Sequence, residues 1–351
     1  MTNHSTNPVI VKLRRLEITN FKAINHFVMD FPQPNMADEP DIFAMGSQNG
    51  VGKTSILEAI SVLIWGIFSS VKEMELKSDH PPPLSELLVR AGAEFALIQS
   101  LLFVNNKIYE YSIKVLLSGS IIINNDNMKE CFPSEIIPLL RSLKKFFSSF
   151  LGYDTEPVIL PYCLYFHSYR KVAEGNLEMG MLINGSKATE ASKISVFKQT
   201  VLYALMNQAN LFDVPDQSLS ANVVDKLNSL IHFYADGKID KLRPYADNTL
   251  EFRISPTHGG PSYSFDGLSS GQKEIISTLF LIWYYTHDQP RIVLIDEPEL
   301  HLNLEWHRHF VQQLVKLVPE NQYILATHSE DVFDSVDQDR RILLQRDQPS
   351  S

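Results

Sequence analysis

The sequence predicts an α/β fold with a mixed or parallel sheet, an antiparallel β subdomain and an inserted helical lobe. Three observations carry that prediction. First, the apolar run Asp41–Met45 leads into a glycine-rich stretch and then into helically spaced apolar residues over Thr54–Phe68. Second, the chain beyond Gln272 alternates helix and strand, the pattern of a parallel sheet with crossover helices. Third, Phe95–Val104, Lys107–Leu116 and Ser120–Asn124 are β-rich runs broken at Asn105-Asn106 and Ser118-Gly119, as in an antiparallel meander.

The elements follow in order. Val11–Thr19 and Phe27–Phe31 read as two strands joined through Asn20-Phe21-Lys22, and Asp41–Met45 as a short buried strand. Ser78–Leu84, with three consecutive prolines, reads as a loop. Ser134–Phe150 reads as an amphipathic helix with Arg141, Lys144 and Lys145 on its polar side, and Pro157–Phe166 as one apolar strand. Glu190–Asn210 and Ser218–Tyr234 are helix-like, so Lys171 to about Tyr245 is expected to be mainly helical. Strands are expected at Leu250–Ser255, Ser262–Phe265, Arg291–Ile295, Gln322–Ala326 and Arg341–Leu344, and helices at Gln272–Tyr285, Leu304–Leu317 and near Asp331. The resulting organisation is an N-terminal half (1–170), a helical lobe (171–248) and a C-terminal half (249–351), together one composite domain.

Composition narrows the function classes. A net charge of −10 over 351 residues argues against a surface given over to nucleic acid, although Lys12, Arg14, Arg15 and Lys22, with Arg141, Lys144 and Lys145, leave room for a local basic patch. The two cysteines, Cys131 and Cys163, have neither zinc-ligand nor disulfide spacing. The apolar helices Ile56–Phe68 and Ile275–Tyr285 are too short to span a bilayer, and the first residues lack a secretory pattern, so a cytoplasmic location without membrane attachment is expected.

Four motifs carry chemistry. In Gly46-Ser47-Gln48-Asn49-Gly50-Val51-Gly52-Lys53-Thr54-Ser55 the backbone N–H groups of a loop before a helix would wrap phosphates. Lys53 would reach the β and γ oxygens, and Thr54 would ligate magnesium. Ser47 stands where such loops usually have their first glycine, which bears on loop geometry more than on binding. Ile292-Val293-Leu294-Ile295-Asp296-Glu297 is a buried strand ending in two carboxylates, Asp296 for magnesium and Glu297 to orient or deprotonate water. Leu268-Ser269-Ser270-Gly271-Gln272-Lys273 begins a helix with hydroxyls and free N–H groups that suit the γ-phosphate of ATP. His328, after the strand ending Leu325-Ala326-Thr327, is placed to sense that phosphate.

Taken with Ile18-Thr19-Asn20-Phe21-Lys22 and Asp296-Glu297-Pro298-Glu299-Leu300-His301, this order of motifs resembles the ABC-type ATPase branch of RecF, chromosome-maintenance heads and overcoming-lysogenization-defect ATPases. Glu299-Leu300-His301 particularly resembles the compact ATPases of anti-phage operons, such as the Septu and retron-linked systems. The resemblance implies an ABC-ATPase head using ATP and Mg2+. It also implies a homodimer or higher oligomer in which Ser269, Ser270, Gly271 and Gln272 complete the partner's nucleotide site, with His301 near the seam. Glu297 and His328 would be the catalytic pair, and hydrolysis slow and regulatory.

The coupling-loop glutamine usual in these ATPases has three stand-ins here: Gln99, His167 and Arg170. Without a long coiled coil, and with only about twenty residues after His328, an effector, by resemblance often a nuclease, is expected on a separate chain. The alternatives are a RecF-like DNA-repair ATPase that binds nucleic acid and, more distantly, a transporter ATPase subunit.

Overall fold

The computed structural model describes residues 9–36, 39–46, 51–68, 73–75, 84–125, 131–132, 156–175, 177–178, 195–208, 217–246 and 249–344. The chain divides into two units, one of residues 1–168, 286–299 and 304–351, the other of 169–285 and 300–303.

The first unit holds two six-stranded sheets. One is antiparallel, in the order β2-β1-β5-β6-β7-β4, from β1 (Val11–Phe21), β2 (Ile24–Asp30), β4 (Glu73–Glu75), β5 (Phe95–Val104), β6 (Lys107–Leu116) and β7 (Ser120–Asn125). The other has the order β16-β3-β15-β14-β9-β8, from β3 (Asp41–Gly46), β8 (Val158–Leu160), β9 (Cys163–Phe166), β14 (Ile292–Asp296), β15 (Gln322–Thr327) and β16 (Arg341–Leu343). All its pairings are parallel except β8 with β9. The alternation of β5 puts Ala96, Ile98, Leu102 and Val104 inside. The fully buried run Ile292-Val293-Leu294-Ile295 on β14 is what a parallel strand covered on both faces requires.

Helix α1 (Lys53–Phe68) is apolar all round because it packs against β1, β5 and β6 of one sheet and β9, β14 and β15 of the other. Gly66 makes that approach possible. A Cβ there would lie 2.3 Å from Ile113 Cδ1 and 2.6 Å from Tyr111 Oη. The short α2 (Leu84–Leu88) braces the β1–β2 turn, where Lys22 N–H donates to the Leu88 carbonyl at 2.9 Å. That turn runs left-handed, with φ of 54° at Asn20 and 48° at Lys22.

The second unit contains α3 (Val196–Gln208), α4 (Gln217–Ala235), α5 (Ser270–Thr286, entering from this unit) and a sheet of β10 (Leu177–Glu178), β12 (Thr249–Pro256) and β11 (Gly237–Pro244). β13 (Tyr263–Ser264) pairs with β12. Phe197 packs its ring against Phe265 and Phe280, with centroids 5.1 and 5.5 Å apart. The first unit also takes in α6 (Leu304–Leu317), whose inner stripe is His307, Phe310, Val311 and Leu314, and α7 (Glu330–Asp334).

Three expectations change. The single strand expected over Pro157–Phe166 is an antiparallel hairpin, with Pro161 in the turn between β8 and β9, where its missing N–H costs no ladder bond. The stretch to Tyr245, expected to be helical, ends at Ala235 and continues as β11. Asp236, at φ 48°, turns the chain, and Gly237 fits where a Cβ would meet Ile254 Cγ2 at 2.5 Å. The lobe expected over 171–248 lies within a larger unit that also holds residues 249–285. The helix expected at Ser134–Phe150 and most of the Ser78–Leu84 loop lie outside the described residues.

Candidate nucleotide site

Parallel register brings the functional residues to one edge of the second sheet. Asp296 is level with Ala326, which is level with Met45, while Thr327 is level with Gly46. The strands therefore end together where α1 begins, the position at which ligands of open α/β sheets bind. Gly52, at φ 94°, needs the conformational freedom of glycine and has the Ile24 side chain beneath it. Val51, Gly52, Lys53, Thr54 and Ser55 are described at this edge; Ser47, Gln48, Asn49 and Gly50 lie outside the described residues.

At the start of α1, the Thr54 hydroxyl donates to Asp296 Oδ2 at 2.8 Å. This joins the two groups expected to hold magnesium. Lys53 Nζ lies 3.0 Å from His328 Nε2, so the ammonium expected to reach the phosphates and the imidazole expected to sense them face the same space. Burial pulls the Lys53 pKa down, against the carboxylates of Asp296, Glu297 and Glu299, which act to raise it. Glu297 sits at φ 48°, a left-handed conformation uncommon for a residue with a side chain, and its N–H donates to the Ala326 carbonyl at 2.7 Å. Such strain persists where surrounding bonds enforce it. Here it turns the chain off the strand immediately after Asp296.

Beneath the site, Lys22 Nζ donates to Glu58 Oε2 at 2.6 Å, with Glu58 only 6% exposed. Burial raises the Glu58 pKa against the pull of Lys22. The Asn20-Phe21-Lys22 motif thus anchors the helix that carries Lys53 and Thr54.

The signature residues belong to the second unit. Ser269 and Gln272 form a reciprocal capping box: Gln272 N–H donates to Ser269 Oγ at 3.2 Å, and Ser269 N–H to Gln272 Oε1 at 3.0 Å. Gln272 also donates through Nε2 to the Tyr234 carbonyl at 2.9 Å. The Ser269 hydroxyl therefore caps its own helix, Gly271 is buried, and Ser270, the first residue of α5, is exposed. His301, at φ 64°, is exposed in the same unit.

The coupling-loop candidates separate. Gln99 is exposed in mid-strand on the face of β5 away from α1, lining a polar groove with Arg15, Glu17, Glu110, Ser112 and Asn124. It is not brought to the nucleotide edge. His167 follows β9, whose last residue Phe166 is level with Ile295, and is fully buried with its ring 4.2 Å from Tyr165. Arg170 is buried in the second unit, 2.8 Å from Glu274 on α5. Burial pushes the Glu274 carboxyl up to about 7, opposed by Arg170.

Among the described residues, the basic side chains of the candidate patch are ion-paired. Lys12 and Arg14 both pair with the buried Asp41, Arg15 with Asp30, and Lys22 with Glu58. Arg141, Lys144 and Lys145 lie outside the described residues. Glu299, which sequence reasoning gave no task of its own, is bonded to the loop that carries His328. Its place in Asp-Glu-Pro-Glu was the one available signal.

With this geometry in hand, comparison with known proteins is informative. The chain is 26% identical over 326 residues to the Septu protein PtuA of Bacillus mycoides, covering 90% of this chain and 38% of that protein. The chain thus spans well under half the length of that relative. It is 21% identical to the Retron Vc95 probable ATPase of Vibrio cholerae, covering 94% of this chain and 73% of the relative. Among solved structures, an SMC head bound to the C-winged helix domain of ScpA matches with a TM-score of 0.53 at 15% identity, covering 93% of this chain and 92% of that one. An SMC head with an extended coiled coil, bound to the C-terminal domain of ScpA derived from Pyrococcus furiosus, matches at 0.51, with 15% identity and the same coverage. These establish the fold as that of an SMC-type ATPase head. No helix among the described residues is long and apolar enough to cross a membrane. A family profile described as AAA domain matches residues 15–212, and a second AAA profile, whose description also names the AbiEii toxin and a Type IV TA system, matches 201–334. With the first profile covering more than half of it, the chain belongs to the AAA-domain family.

Proposed function

We propose that this chain is the ATP-hydrolysing, ATP-dependently dimerising sensor or scaffold subunit of an anti-phage defence system, controlling a separate effector, in our reading a nuclease. One observation supports it above the others. Lys53, Thr54, Asp296, Glu297 and His328 converge on one sheet edge, in a chain whose relatives are a Septu protein and a retron ATPase.

The chemistry follows from the residues. Lys53 and the helix start neutralise the β and γ phosphates, and His328 contacts the γ-phosphate. Thr54 and Asp296 would hold Mg2+, an oxygen-donor pair suited to a hard cation, which supplies further charge neutralisation when bound. Glu297 orients a water against the γ-phosphorus and takes its proton as the bond to the leaving ADP oxygen breaks. Ser270 and the first turn of α5 meet the γ-phosphate of the partner's ATP. The closed dimer therefore depends on that phosphate, and its loss on hydrolysis opens the dimer. Slow turnover makes the bound state a timer for the effector.

A RecF-like DNA-repair role would draw on Lys12, Arg14, Arg15 and Lys22. Their ion pairs with Asp41, Asp30 and Glu58 weigh against it.

The test is phage plating on cells carrying the chain with its neighbouring genes. Protection is expected from the wild type and should be lost with Lys53→Ala. Equal protection from Lys53→Ala would refute an ATP-driven defence role.

A further inference from the structure

We infer that Glu299 is a positioning residue for hydrolysis: its carboxylate sets the backbone carrying His328 in register with Glu297. The inference rests on the ATPase reading above and concerns a side chain to which that reading gives no task.

Glu299 lies two residues beyond Glu297, where β14 has already ended. One carboxylate oxygen, Oε1, accepts the N–H of His328 at 2.6 Å and that of Ser329 at 3.2 Å. The other, Oε2, accepts the Thr327 hydroxyl at 2.7 Å. Three donors from consecutive residues converge on one charged group, and charge-assisted bonds are shorter and stronger than neutral ones. The main chain of Glu299 is tied to the same loop. Its carbonyl lies 3.1 Å from His307 Nε2, and His307 Nδ1 lies 3.3 Å from Ser329 Oγ. A carbonyl can only accept, so Nε2 carries the proton and Nδ1 accepts from the Ser329 hydroxyl. Ser329 Oγ in turn accepts the Val332 N–H at 3.3 Å.

The segment 297–299 is thus bonded to the segment 326–329 at both ends, through Glu297 N–H to the Ala326 carbonyl and through Glu299 to Thr327, His328 and Ser329. Beyond the last residue of β15 the sheet ladder no longer places the chain. His328 is exposed, yet its ring meets Lys53 Nζ. The Glu299 carboxylate supplies what the ladder no longer does. It fixes the loop by bonds from a residue two positions beyond the catalytic glutamate, so the group that orients water and the group that contacts phosphate share one frame.

The competing role for the same carboxylate is electrostatic, as a counter-charge to Lys53 or as a second base. Glu299→Gln separates the two. The amide oxygen still accepts both backbone N–H groups, while the amide nitrogen donates to the Thr327 hydroxyl. The frame survives and the charge does not.

The experiment measures kcat and KM for ATP, the Kd of a fluorescent non-hydrolysable ATP analogue, and thermal melting for the wild type, Glu299→Gln, Glu299→Ala and Thr327→Val. Loss of the frame in Glu299→Ala should lower kcat about 100-fold, the scale of an ångström of misplacement, with KM and Kd within about threefold of the wild type. Glu299→Gln should keep kcat within about threefold, and Thr327→Val should fall between the two. A Glu299→Gln variant as inactive as Glu299→Ala would overturn the inference, because charge would then be the requirement. So would a Glu299→Ala variant with unchanged kcat, or one whose Kd rises as much as its kcat falls. Should Glu299→Ala fail to fold, the Gln variant still decides. The ATPase reading fails separately, through a wild type that does not hydrolyse ATP or a Glu297→Gln variant that does.

Discussion

The nucleotide edge of the first unit and the signature turn of the second are built on opposite principles. At the nucleotide edge the functional side chains are bonded to one another: Thr54 to Asp296, Lys53 to His328, Glu299 to the loop carrying His328. At the signature turn the supporting bonds run away from the functional group and into the unit's own interior. Ser269 and Gln272 cap each other, Lys273 pairs with Glu174, Lys198 with Asp266, and Arg170 with Glu274. Ser270 is left exposed at a helix start that these contacts hold firm. In our reading the groups gathered at the edge take the nucleotide of their own chain, and the firmly held turn with its exposed Ser270 is met by the partner's γ-phosphate.

That contrast can be broken in order of expected effect. Glu297→Gln should reduce kcat by about 100-fold or more while leaving ATP binding intact, since a general base contributes about 100- to 10,000-fold. Ser270→Arg should leave ATP binding by the monomer unchanged and abolish ATP-driven dimerisation in analytical ultracentrifugation; a persisting dimer would remove the cross-subunit role. Lys22→Met strips the partner from the buried Glu58 and should cost about 3 kcal/mol in urea unfolding, the lower end for breaking a buried pair. Gly66→Ala should cost about 1–3 kcal/mol through overpacking against Ile113 and Tyr111.

The smallest effect belongs to Glu274. Its folded-state pKa, about 7, stands above its ordinary 4.5, so the folded state holds a proton that the unfolded state releases between those values. Its contribution is complete below pH 4.5 and is lost as the pH rises through about 7. The wild-type melting temperature should therefore fall relative to Glu274→Gln across that window. A constant difference would show that Arg170 keeps Glu274 ionised throughout.

The two regions also differ in how far they were legible in the sequence. The nucleotide edge was readable because a parallel sheet makes the end of each apolar strand a defined place, so Asp296, Glu297 and His328 could be placed without knowing any contact. Glu299 was missed because its task is set by a loop nearly thirty residues away. The capping box was implicit in the Ser-x-x-Gln spacing, but its consequence, that Ser269 is committed and Ser270 presented, needed the geometry. β11 was hidden because Lys238–Leu242 follows a helical pattern closely, and its strand character comes from pairing with β12. The basic residues near the N-terminus looked available only because Asp41, Asp30 and Glu58 are distant or inconspicuous in the chain.

The most direct test is sedimentation of Glu297→Gln with ATP and Mg2+, with and without Ser270→Arg. Glu297→Gln alone should accumulate as a nucleotide-bound dimer, and the double variant should bind ATP as a monomer. A Glu297→Gln protein that stays monomeric with ATP bound, or a double variant that still dimerises, would contradict a site closed by a second copy of the chain.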